Sequence, residues 1–94
     1  MQETSLATRR DFTVGLNQKI ATGFDYRLGD QVDVLCECGG IDCDTWITLT
    51  YARYDDLRRM ESCHVVVNGH ELPEVDRVTV RHESFAFVEP IDLA

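Results

Sequence analysis

The chain has 94 residues, 44% of them hydrophobic, and a formal charge of -8 at neutral pH. That is one domain, 1–94, near the small end of what buries a sufficient core unaided, a size at which a metal or a crosslink often contributes. The apolar content argues against a disordered chain, and the acidic excess argues against phosphate backbones and anionic lipid as direct partners.

The charge is uneven. Residues 1–30 hold four basic side chains (Arg9, Arg10, Lys19, Arg27) and four acidic ones (Glu3, Asp11, Asp25, Asp30), so the whole excess falls from Gln31 onward. Solubility is the plain reason for such an excess, and a face for a basic protein is the functional one. No apolar run approaches the roughly 20 residues that span a bilayer, and MQETSLATRRDF lacks the apolar core of a secretory signal. The expected compartment is the cytoplasm, where thiols stay reduced and clustered cysteines read as ligands before they read as disulfides.

In chain order, Ser5 or Thr4 caps a helix running to about residue 21, within an N-terminal segment 1–24. Phe12, Leu16 and Ile20 recur every fourth residue, an apolar stripe expected to pack on the domain itself. Gly15 weakens this helix and Gly23 is placed to end it. GFDYRLGD, residues 23–30, reads as a loop. QVDVLCE then alternates as a strand, with Val32, Val34, Cys36 and Cys38 on one face. Residues 46–49 form a second short strand, and Thr50 caps a helix over 51–60 with Tyr51, Tyr54 and Leu57 inward.

CHVVV, 63–67, is a strand by composition, Asn68-Gly69 signals a tight turn, and strands over 76–81 and 85–88 complete the chain. The fold class is α+β: two helices against a small, mostly antiparallel sheet within 31–94.

The chemistry lies in CECGGIDC, residues 36–43. Cys36 and Cys38 share a strand face while Glu37 points to the other side, and Gly39 and Gly40 let the chain turn so that Cys43 returns. Three thiolates at one point repel unless a cation sits among them, and zinc makes them all anionic. A structural zinc needs a fourth ligand. Cys63 and His64 are strand neighbours that point oppositely, so at most one serves; His70, just past a sharp turn, is chosen, with Cys63 as substitute. The domain is then a sheet and two helices stapled by Zn2+ on Cys36, Cys38, Cys43 and His70.

Other readings of the sulfurs are weaker. A lone Cys36 in register with Val32 and Val34 would be a small core side chain, but two companions within eight residues argue otherwise. A disulfide between Cys36 and Cys38 would be strained. Cys36, Cys38, Cys43 and Cys63 would supply an iron-sulfur cluster, but their spacing matches none of the usual ferredoxin runs.

VDVLCECGGIDCDTWITLTYARYDDLR, VVVNGHELPEVDRV and FAFVEP together resemble a family of small uncharacterised bacterial proteins, common in actinobacteria, with a CECG, Cys, LT, Tyr, Gly-His, Pro-Glu order. Phe12, Leu16, Asn17 and Ile20 fall at the matching places of that family's first helix. The resemblance implies that Cys36, Cys38, Cys43 and His70 are the recurring positions and that Cys63 and His64 are incidental. The chain departs from the pattern at Asn68, where proline is usual.

For function, no phosphate-cradling glycine loop and no deaminase signature is present, and a zinc with four protein ligands has no open position for substrate. The expectation is a non-enzymatic module that binds another protein through its acidic part or its first helix, as a host regulator, a phage-encoded inhibitor or part of a larger assembly. The alternative is a redox-sensitive zinc switch or a small zinc hydrolase with an open fourth position, in which Glu37, Asp42, Asp44, His64 or Glu71 accepts a proton. As plain structure, each of those carboxylates is a solvated surface charge. Nucleic acid is disfavoured as a direct partner because Glu37, Asp42 and Asp44 surround the cysteines with no Lys or Arg among them.

Overall fold

A computed structural model of the chain describes residues 5–60 and 62–91. In order, the elements are α1 (Leu6–Thr22), β1 (Gln31–Leu35), β2 (Trp46–Thr50), α2 (Tyr51–Arg59), β3 (His64–Val67), β4 (Asp76–Arg81) and β5 (Phe85–Pro90). Capping chemistry sets both helix starts. The Ser5 hydroxyl accepts the Thr8 N–H at 3.1 Å, and the Thr50 hydroxyl accepts the Arg53 N–H at 3.3 Å. Thr4, the other cap considered, lies outside the described residues.

The α+β class holds, but the strands form two antiparallel sheets where one was expected: β1-β2, and β3-β5-β4. The reason is that β1 and β3 meet only past the end of β1, where Glu37 donates its N–H to the Val65 carbonyl at 2.7 Å. β5 is the centre of its sheet and reads FAFV, buried at all four positions, which is the pattern of a strand covered on both faces. In the other sheet Val32 faces Leu49 and Val34 faces Ile47. These four residues are buried together with Tyr54 and Leu57 of α2 and Val65, Phe85 and Phe87.

Helix α1 departs from the expected packing. Its buried residues are Arg10, Asn17 and Ala21, while Phe12 is 69% and Leu16 36% exposed; Ile20 alone of the stripe packs against the core. The physical reason is what the helix meets. It lies against the open edge of β1 and the loop that follows, where main-chain N–H and C=O groups need partners, so its inner face must carry donors and acceptors. Among the described residues no helix is long and apolar enough to cross a membrane.

Candidate metal centre

The cysteine loop, residues 36–45, is the connection between β1 and β2. Its base continues their ladder, with Cys36 N–H donating to the Thr45 carbonyl at 2.9 Å. Gly39 has φ +80, a conformation that a side chain disfavours, and a Cβ there would stand 2.4 Å from Leu6 Cδ1. The turn and the close passage of α1 both require glycine at that position. Cys43 N–H then donates to the Gly40 carbonyl at 3.2 Å, which brings the third thiol back over the first two.

His70 arrives from the other sheet. Its N–H closes a turn on the Val67 carbonyl at 2.8 Å, with Gly69 at φ +94. The Asn68-Gly69 turn thus forms as expected, although β3 and β4 do not pair across it.

One donor atom from each of Cys36, Cys38, Cys43 and His70 lies within 4.8 Å of the others. His70 presents Nδ1, 3.6 Å from the Cys36 sulfur and 3.5 Å from that of Cys43. A tetrahedral zinc with arms of about 2.3 Å to sulfur and about 2.05 Å to nitrogen sets sulfur and nitrogen about 3.6 Å apart and two sulfurs about 3.8 Å apart. The cluster therefore has the spacing and the soft donor set for a metal ion of that kind. Main-chain donors support the sulfurs: Val67 N–H reaches Cys36 Sγ at 3.3 Å, and Gly40 N–H reaches Cys38 Sγ at 3.4 Å. Cys63 is buried but is not one of the four converging residues.

The thiols differ without metal. Burial pushes Cys36 up to about 12, against the help of the Val67 N–H. Burial also works against Cys43, but it is outweighed by the Thr45 N–H, Cys38 and His70, and this thiol falls to about 7. Cys43 thus ionises far more readily than Cys36.

Glu37 overturns its reading as a solvated charge: it is 0% exposed. It does point away from the cysteines, into a buried polar knot. Arg58 donates to Oε1 at 2.7 Å, Asn17 to Oε2 at 2.7 Å and Val65 N–H to Oε1 at 3.2 Å, with His64 Nδ1 3.6 Å away. Burial alone would raise this carboxyl, but His64, Arg58 and Asn17 together hold it below its ordinary range. A carboxylate so engaged is not a free proton acceptor, and neither is Glu71, whose side chain accepts from Arg81 at 2.8 Å and from Gly69 N–H at 2.9 Å. Asp42 and Asp44 are exposed, as expected.

Three supporting residues were not singled out from the sequence. Arg10 donates to the Cys38 carbonyl at 3.1 Å and grips Asp76 through both terminal nitrogens at 2.7 Å, and Arg9 donates to the Gly39 carbonyl at 2.6 Å. Asn17, which entered the sequence analysis only through the resemblance, joins α1 to Glu37 at 2.7 Å. For Arg10 and Asn17 the one sequence signal is polarity on the side of α1 opposite the Phe12–Leu16 stripe; Arg9 lies on the stripe's own side. No family model, no curated protein and no solved structure matches this chain.

Proposed function

We propose that this is a zinc-stapled, non-enzymatic module that acts by binding another protein. The observation that carries the reading is the convergence of four protein donors, from two sheets, within 4.8 Å. Four protein ligands complete a tetrahedron and leave no position for a substrate, which is the arrangement of a structural zinc. The soft thiolates favour zinc over magnesium or calcium. The surrounding structure agrees: Glu37 sits between two ligands and is tied to α1, α2 and β3, so a metal on the cysteines and the polar knot behind them hold the same segment from both sides.

Native mass spectrometry with and without a chelator, followed by circular dichroism, tests it. One zinc per chain, with loss of fold on chelation, is the expected result. Metal-free protein that keeps its native spectrum would refute the staple. Capture from a cell lysate then separates module from enzyme, a single stoichiometric protein partner being the result expected of a module.

One observation favours a second reading, release of the metal by oxidation: Cys43 is half-buried and lines an open groove. Peroxide that ejects zinc, with rebinding after a thiol reductant, would support the switch; zinc retained under peroxide would remove it.

A further inference from the structure

Beside the cysteine cluster runs a groove of about 490 Å³, with Thr8, Phe12 and Leu16 of α1 on one wall and Gly40, Ile41 and Asp44 of the loop on the other. Its rims carry the most exposed apolar side chains near the site, Phe12 at 69% and Ile41 at 81%. Both are held out by structure. Phe12 stands on a helix whose inner face is committed to Arg10 and Asn17, and Ile41 sits at the tip of a loop fixed at Gly39 and Gly40. Apolar surface kept in water on rigid supports on both sides of a groove marks an interaction site.

Charge selects the occupant. Asp42 and Asp44, both exposed, flank the loop beside Ile41, and the chain as a whole carries -8. Arg9 also lines the groove and donates its Nε to the Gly39 carbonyl at 2.6 Å, so one positive charge stands on the wall opposite the two carboxylates of the loop. A second copy of the chain would set the same carboxylates against each other. Resting on the reading of the chain as an interaction module, we infer that this groove docks a basic peptide segment of a partner protein, seating apolar side chains between Phe12 and Ile41 and placing Lys or Arg over Asp42 and Asp44. Steering by opposite charge would set the rate of encounter and the apolar anchors the residence time.

The test is selection of a random peptide library displayed on phage against the zinc-loaded protein. Enriched peptides should combine Leu, Ile or aromatic residues with Lys or Arg. They should bind Phe12→Ser and Ile41→Ser about tenfold or more weakly, and bind Val80→Ser, a change at an exposed apolar residue elsewhere, as they bind the parent. No enrichment, enrichment of acidic or uncharged peptides, or undiminished binding by Phe12→Ser and Ile41→Ser would overturn the proposal. So would a dimer in sedimentation equilibrium that Phe12→Ser dissolves, which would give the groove to a second copy. Zinc content measured on the same preparation keeps the two readings apart: metal-free protein that still selects basic peptides refutes the staple alone, and zinc-loaded protein that selects none refutes the groove alone.

Discussion

Asn17 and Leu35 exchange two hydrogen bonds: Asn17 Nδ2 donates to the Leu35 carbonyl at 2.9 Å, and the Leu35 N–H donates to Asn17 Oδ1 at 2.8 Å. A helix side chain thus takes the place of a neighbouring strand on the open edge of β1, one residue before Cys36, the first member of the cluster. The same amide continues to Glu37 at 2.7 Å, one residue after it, so Cys36 is braced on both sides. Asn17→Leu keeps the volume and removes all three bonds, leaving buried groups unpaired at a cost of about 2–4 kcal/mol. Urea denaturation checks this. Asn17→Asp should cost at least as much as Asn17→Leu: it keeps the acceptor for the Leu35 N–H, but it sets a buried carboxylate oxygen where the amide donated to Glu37 at 2.7 Å and to the Leu35 carbonyl at 2.9 Å.

Two buried carboxylates set the response to acid. Asp76 is raised by burial but held lower overall by Arg10 and the Leu72 N–H, and Glu37 is likewise held lower by His64, Arg58 and Asn17 against its burial. A carboxyl with a depressed folded value stabilises the protein where the unfolded chain is already ionised, and the benefit is lost as pH falls through the folded value. Asp76→Asn should therefore cost about 3–5 kcal/mol at neutral pH by leaving Arg10 unpaired. The gap to the parent should narrow below the ordinary Asp value of 3.8. For Glu37→Gln the narrowing should begin higher, below 4.5. Denaturant midpoints of parent and variants at matched pH give the comparison, and loss of metal in acid is common to both.

Gly39 and Gly69 separate backbone strain from crowding. Both have positive φ, but a Cβ at Gly69 would meet open space whereas one at Gly39 would meet Leu6 and Arg10. Gly69→Ala should cost about 1–2 kcal/mol, the backbone penalty alone. Gly39→Ala should cost more and lower zinc affinity as well. In a Leu6→Ala background the excess should shrink, which a double-mutant cycle measures.

Thiol reactivity should follow the environments of the four sulfurs. As a chelator begins to draw metal from protein that has not yet unfolded, iodoacetamide at neutral pH should modify Cys43 ahead of Cys36, since the first is half-buried and lowered to about 7 while burial pushes the second up to about 12. Burial raises Cys63 as well, so it too should react slowly. Cys63→Ala should leave the zinc stoichiometry at one per chain, and His70→Ala should weaken or abolish it. Peptide mapping of the alkylated chain and native mass spectrometry read both.

The elements and the three-cysteine part of the cluster were legible because their signals are local, whereas His70 comes from 27 residues beyond Cys43. Ser5 and Thr50 mark helix starts by capping chemistry, and the alternation in QVDVLCEC puts two thiols on one face whatever lies around them. The inner face of α1 was not legible. Phe12 and Leu16 have helical spacing, and spacing alone says that a stripe exists without saying what it faces; the structure turns Arg10 and Asn17 inward because the surface opposite is bare peptide. Glu37 misled for a related reason. A carboxylate is expected in water unless its partners are known, and Asn17, Arg58 and the Val65 N–H come from three elements distant in sequence.

The connection between β1 and β2 runs through residues 36–45, far longer than the two-residue turns that join strands most readily. Such a span carries a closure entropy that its strands of five residues each must meet. With zinc gripping thiols from both arms, the ion takes the part of the turn, and hairpin formation becomes linked to metal concentration by mass action. Bound as proposed, zinc would make the folded fraction of this chain a function of the free metal concentration.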